Sequence, residues 1–210
     1  MMLSKERKIY TAPLYESNPC FETAPAAQID SFHWEEGKNP YRPATLGRLC
    51  AVRDGGIYYR AYSAETQLRA ECTGRDEPVY EDSCLELFIN PCPELSDCYI
   101  NVEVNPNGAF LCQFGSDREN RRWVRELTEL SPKIETFREE SGWGITVSLG
   151  EDFLRALYGE EYHTQARTMR GNFYKCGDKT AHPHYGAFSP VDTLPPGFHN
   201  PACFADIVLL

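Results

Sequence analysis

Tyr99, Asn101, Glu103 and Asn105 alternate along the chain with Ile100, Val102 and Val104. In a strand, period-two alternation puts the first set on one face and the second on the other. Phenol, amide and carboxylate groups make a poor core surface, because each buried polar group needs a partner. The polar set is therefore either a solvated strand face or a floor for a polyhydroxylated ligand. Such a ligand offers C–H faces to aromatic rings and hydroxyls to amides and carboxylates in the ring plane. Glu86, on an expected neighbouring strand, adds a carboxylate, and Tyr80 just before it adds a rim aromatic. Arg170, Asn172, Tyr174 and Lys175 bring an amide, a ring and two bases; Tyr185 and Phe188 bring loop aromatics.

Other chemistry is open to the same residue types. Glu86 and Glu103 could serve as the acid and base of a glycoside hydrolase, where carboxylate separation sets the outcome. Cys176, His182, His184 and His199 are metal-ligand types in one stretch, although zinc spacing motifs are absent. Arg118, Arg121, Arg122 and Arg125 form a basic run that is either solvated or docks an acidic partner.

Positioning these groups needs strands. Asp54-Gly55-Gly56 separates runs 49–53 and 57–62, a strong hairpin signal in which glycine supplies positive φ. Residues 84–89 alternate and stop at Asn90-Pro91, since proline cannot continue a central ladder. Residues 99–105 turn at Pro106-Asn107-Gly108 and return as 109–114. A second hairpin joins Lys133–Glu139 to 143–149 around Ser141-Gly142. Residues 151–158 read as one amphipathic helix, with Phe153, Leu154, Leu157 and Tyr158 on one side and Gly159 as the stop. Residues 29–34 are expected as a short strand ending on His33-Trp34. Strands are also expected at 167–174 and 205–210, with a long irregular segment at 175–202. The sum predicts an all-β fold, an antiparallel β-sandwich with one short helix. One domain over 1–210 is expected, entered through an irregular segment at 1–45.

The chain has 210 residues and a formal net charge of −10. That balance argues against a nucleic-acid or anionic-membrane surface. The first ten residues carry charge without an apolar run behind them, and the nine cysteines are odd in number and lack a CxxC pair. A cytoplasmic protein with reduced thiols is the expectation. Cys92 and Cys98 would be the pair to close a loop under oxidation.

Tyr80-Glu81-Asp82-Ser83-Cys84-Leu85-Glu86-Leu87-Phe88 resembles the "aromatic, acidic, Asp-Ser, apolar, Glu, apolar, Phe" segment of family 9 carbohydrate-binding modules. Residues 99–105 are similar to the strand that follows it there, and Trp143-Gly144-Ile145-Thr146-Val147 to a tryptophan strand near the end. Arg170-Gly171-Asn172-Phe173-Tyr174, residues 182–190 and residues 198–204 resemble the C-terminal third. The likeness spans roughly residues 45–210, and is nearest to stand-alone bacterial members of the family. It implies a β-sandwich holding a mono- or oligosaccharide between two aromatics, without catalysis. By the same resemblance Tyr80 is the first aromatic, Glu86 the site carboxylate and Asn172 the site amide. Tyr174, Tyr185 and Phe188 are the candidates for the second aromatic. Structural calcium among acidic turns is a further implication.

Overall fold

The computed structural model describes residues 7–35 and 41–210; residues 1–6 of the charged N-terminus and 36–40 of the entry segment lie outside it. In chain order the strands are β1 (Ile9–Ala12), β2 (Leu14–Tyr15), β3 (Ala27–Gln28), β4 (Thr45–Val52), β5 (Gly56–Ser63), β6 (Cys84–Asn90) and β7 (Tyr99–Val104). They continue with β8 (Phe110–Gly115), β9 (Arg122–Trp123), β10 (Lys133–Glu139), β11 (Gly142–Gly150), β12 (Arg167–Cys176), β13 (Tyr185–Ala187) and β14 (Ala205–Leu209). The helix α1 is Glu151–Tyr158.

One sheet runs β1-β14-β12-β6-β7-β8-β9, with β13 also on β12; the other runs β10-β11-β5-β4-β2, with β3 also on β4. Most pairings are antiparallel, as expected, but β1 with β14 and β2 with β4 are parallel. Both parallel pairs are made by the short entry strands.

The sheets meet across an apolar layer. Leu85, Leu87, Ile89, Ile100, Val102 and Val104 face Leu49, Ile57, Tyr59, Trp143, Ile145, Val147 and Leu149 in one buried cluster. The alternation of β7 thus sends its aliphatic set between the sheets. Its polar set falls on the outer face, where a second cluster includes Val79, Phe88, Tyr99, Leu111, Tyr174, Phe198 and Phe204. All of β6 and β7 is buried, so the outer face is roofed rather than solvated. Much of the roof is the segment between β12 and β14.

Local signals hold up well. Asp54 and Gly56 carry the positive φ of the first hairpin turn, at 52° and 113°. Aspartate tolerates that region, but glycine has a second reason to be at 56. A Cβ there would lie 2.1 Å from the Leu149 carbonyl oxygen. Gly56→Ala is expected to cost roughly 1–3 kcal/mol of stability, read as a lower urea midpoint. The helix ends where Gly159 adopts φ 99° and its amide bonds the Arg155 carbonyl.

The strand expected at 29–34 does not form. Its backbone crosses between sheets: the Ile29 amide bonds Thr45 on β4, and Ser31 exchanges bonds with Ala187 on β13. A chain that changes sheet within two residues cannot stay in one ladder. It then coils into a 3₁₀ turn at His33–Glu35. The basic run contains β9 and a 3₁₀ turn at Val124–Glu126. Among the described residues no helix is long and apolar enough to cross a membrane.

Candidate functional site

Register places the floor of a cleft. Glu86 lies opposite Glu103, and Glu103 opposite Leu111, in one row across β6, β7 and β8. The next row brings Gln113 opposite Trp123. These side chains face a cleft of about 470 Å³. Its aromatic lining comes from Trp34, Tyr80, Trp123, Tyr185 and Phe198, and its remaining polar lining includes Arg118, Arg121, Asp178 and His199.

The aromatics come from separate elements. Trp34 sits in the 3₁₀ turn, where its indole N–H donates to the Thr193 carbonyl at 2.9 Å. Its ring meets Phe198 at 5.4 Å and Tyr185 at 6.1 Å, so these three make one aromatic wall. Trp123 is held on β9 under the Arg125 guanidinium, 5.4 Å from its ring. Tyr80 belongs to the 3₁₀ turn Val79–Glu81 and is 40% exposed, as a rim residue should be.

The floor is electrostatically unusual. Burial pushes the Glu103 carboxyl up to about 7, against the pull of Arg121 and the Asn101 amide. Burial, and then the facing Glu103, push Glu86 well above the usual carboxylate range. Two carboxyls side by side in a dry site resist ionising together. Protonated, each can donate as well as accept a hydrogen bond. His199 is pushed the other way, down to about 3, by burial and by Arg121 and Arg118. It is therefore a neutral ring: Nε2 accepts from Arg121 at 3.1 Å, which leaves Nδ1–H to donate to the Tyr99 hydroxyl at 3.0 Å.

Of the residues singled out from sequence, Tyr80, Glu86, Glu103 and Tyr185 line the cleft. Asn101 lies just behind, donating to Glu103 Oε1 at 3.1 Å and accepting from Arg121 at 3.4 Å. Tyr99, Arg170, Asn172 and Tyr174 hold the roof instead. Tyr99 bonds His199. Arg170 pairs with Asp206 and donates to the Pro201 and Phe204 carbonyls. Asn172 is fully buried, with its amide donating to the Ser189 carbonyl at 2.9 Å and its oxygen accepting from the Ser189 amide at 2.8 Å. Tyr174 stacks on Phe198 at 4.0 Å and donates to its carbonyl. Phe188 turns away into the core between the sheets, against Tyr10 and Phe173. Neither the Asn172 amide nor the Phe188 ring reaches the cleft.

Trp34, Trp123, Arg118, Arg121, Asp178, Phe198 and His199 were not in that set. A tryptophan inside a highly charged stretch was the available signal for Trp123. Arg118 and Arg121 belong to the basic run, and both line the cleft. Arg122 and Arg125 pair with Glu126 and Asp76.

Cys176, His182, His184 and His199 are not gathered into one metal cluster. His182 stacks on Tyr41, and the Nε2 of His184 accepts from the Lys175 ammonium at 2.7 Å. The turns at Asp82, Glu77 and Asp117 do not fit calcium either. Asp82 Oδ2 accepts from the Glu71 and Cys72 amides and from Asn105. Glu77 caps Thr73 and Gly74, and Asp117 caps Glu119 and Asn120. Carboxylates engaged by N–H donors are turn caps, whereas calcium needs six or more free oxygens, approximately. No disulfide joins Cys92 and Cys98 or any other pair of the nine cysteines.

Three solved structures are similar along nearly their whole length. A protein from Bacteroides uniformis ATCC 8492, proposed to bind carbohydrate, is 26% identical with a TM-score of 0.79, covering 98% of this chain and 100% of that one. A family 9 carbohydrate-binding module from Caldicellulosiruptor kristjanssonii in complex with cellotriose is 12% identical with a TM-score of 0.68, covering 96% and 93%. The same organism's module in complex with glucose gives 12% and 0.67, covering 95% of each chain. No curated protein matches. The model of carbohydrate-binding family 9 matches residues 19–209, and with the sandwich and its roofed outer face in place, the chain belongs to that family.

Proposed function

We propose that the chain is a non-catalytic sugar-binding module, taking a mono- or short oligosaccharide into the cleft above β6, β7 and β8. The observation that carries this reading is the joint lining of one 470 Å³ space by aromatic rings and hydrogen-bonding side chains. Trp34, Tyr80, Trp123 and Tyr185 offer faces for sugar C–H groups. Glu86, Glu103 and Arg121 bond the hydroxyls, and Asn101 holds the last two in place. Tyr99, Arg170, Asn172 and Tyr174 act by pinning the roof that carries Phe198 and His199.

A glycosidase reading is less well supported. Its two carboxyls flank the scissile bond, whereas Glu86 and Glu103 stand side by side on one sheet face. We also infer a cytoplasmic setting and a soluble sugar, because the chain keeps an odd number of thiols, several of them core residues.

Glucose and cello-oligosaccharides are the first ligands to test by calorimetry, since similar modules are seen with glucose and cellotriose. Trp123→Ala should weaken binding by about 2 kcal/mol, roughly 30-fold, with the melting curve still cooperative. Undiminished affinity in both Trp123→Ala and Trp34→Ala would put the sugar elsewhere.

A further inference from the structure

Cys84 and Cys176 are register partners on the antiparallel strands β6 and β12. Both turn to the outer face, the one that carries Glu86 two residues along β6. The two Sγ atoms and a Glu86 carboxylate oxygen all lie within 4.8 Å of one another. The Cys176 thiol donates to Glu86 Oε1 at 2.8 Å. All three residues are buried, and Glu86 and Cys176 line the cleft while Cys84 lies beneath it. We propose that this trio binds a thiophilic divalent cation of the zinc type, with one coordination position facing the cleft.

The donor set carries the choice of metal. Two thiolates and a carboxylate are soft-to-borderline ligands that suit zinc and its analogues and disfavour calcium and magnesium. Tetrahedral zinc keeps its ligand atoms roughly 3.3–3.8 Å apart, given its usual bond lengths. The trio brackets that spacing, with 2.8 Å between Cys176 Sγ and Glu86 Oε1 and no pair beyond 4.8 Å. Three protein ligands with the fourth place open is the pattern of an accessible zinc site rather than a sealed structural one.

The charges around the trio agree with this choice: Glu86 faces Glu103 across the β6–β7 register, and Asp178 lines the same cleft. The Lys175 ammonium lies between the sheets and is already held by Glu65 and His184. A dication in the trio balances the acids gathered there. A thiol at its ordinary value is protonated at neutral pH. Loading the site therefore displaces protons, one from each cysteine that becomes a thiolate ligand. The site does not depend on the sugar reading, because its ligands come from the protein alone.

The test uses the whole chain, reduced and freed of metal by chelator, without sugar. Zinc is titrated by calorimetry in buffers of different ionisation enthalpy, and cobalt(II) is followed by absorption. One equivalent should bind with net proton release, and cobalt should show thiolate charge-transfer and tetrahedral d–d bands. Cys84→Ser and Cys176→Ser should each weaken zinc by about 100-fold or more, while Cys50→Ser, remote from the trio, should not. Should the cysteine variants fold poorly, Glu86→Gln tests the same site: affinity falls about tenfold while the thiolate bands persist. The proposal is overturned if cobalt binds without thiolate bands, if affinity survives in Cys176→Ser or Glu86→Gln, or if chelator-free reduced protein takes up no zinc. It is also overturned if mass spectrometry of protein isolated without reductant finds the pair as a Cys84–Cys176 disulfide.

Discussion

Replacing Lys175 with methionine should lower the stability of the fold by about 3–5 kcal/mol, the usual consequence of removing one partner of a buried ion pair. Lys175 and Glu65 are 0% and 1% exposed, and their charged atoms lie 3.0 Å apart. Lys175 sits on β12 and Glu65 just after β5, so the pair ties one sheet to the other. The ammonium also donates to the Cys176 carbonyl at 2.8 Å and to His184 at 2.7 Å. Glu65 in turn accepts from the Trp143 indole at 3.2 Å. Without Lys175 the carboxylate keeps its burial and loses its compensating charge. The melting temperature should fall by roughly 6–20 °C for a chain of this size, and the urea midpoint should fall with it. Adding Glu65→Gln should recover much of the loss, because the amide oxygen still accepts from Trp143 and carries no charge. A Lys175→Met protein as stable as the parent would show that the pair contributes nothing net.

Acid should unfold the protein partly through His184, which lies in the same network. Burial and the Lys175 ammonium push this ring down to about 3 from 6.5, although the His182 carbonyl pulls the other way. The geometry agrees: Nε2 accepts from Lys175, so Nδ1 carries the proton and donates to the His182 carbonyl at 2.6 Å. Glu65 Oε1, at 3.9 Å, and the Tyr41 ring complete its surroundings. The unfolded histidine takes up a proton near pH 6.5 and the folded one does not until about 3. Its contribution is therefore fully present above about 6.5 and is lost as pH falls toward 3. The loss is about 1.4 kcal/mol per pH unit across that window. Glu103 has the opposite sign: raised to about 7, it stabilises most below about 4.5 and loses that contribution as pH rises toward 7. The two partly cancel between pH 4.5 and 6.5, so the wild-type profile alone does not isolate the histidine. His184→Gln does, because glutamine can accept from Lys175 and donate to His182 without titrating. As pH falls from about 6.5 to 4, the wild-type urea midpoint should fall relative to that of His184→Gln, by about 1.4 kcal/mol per unit once the midpoint is multiplied by m. Parallel profiles would mean that His184 binds its proton equally in both states.

The longer strands, both hairpins and the helix were legible because their signals are local: alternation, Asp-Gly and Ser-Gly turns, a glycine stop. The floor was legible for the same reason, since period two puts Glu103 outward and strand adjacency adds Glu86. The walls were not. Trp34, Phe198 and His199 sit in irregular segments, and their places are set by distant partners such as Thr193, Tyr174 and Tyr99; Trp123 sits on a strand of 2 residues. The same roofing explains the residues that moved out of the cleft. A polar strand face reads alike in sequence whether it meets a sugar or a covering loop, and Asn172 and Tyr174 meet the loop. Phe188 follows β13 directly, and nothing local tells that its ring turns inward.

Sugar is expected to occupy the cleft between Trp34 at the roof and Trp123 on β9. The chain has three tryptophans. Trp34 and Trp123 line the cleft, and Trp143 is buried between the sheets with its N–H on Glu65. Nitrogen-15 NMR resolves the three indole N–H signals, and single Trp→Phe variants assign them. Titration with glucose or cellotriose to saturation should shift the Trp34 and Trp123 signals and leave Trp143 in place. Saturable binding by calorimetry with neither cleft indole moving, or with Trp143 moving alone, would contradict the account.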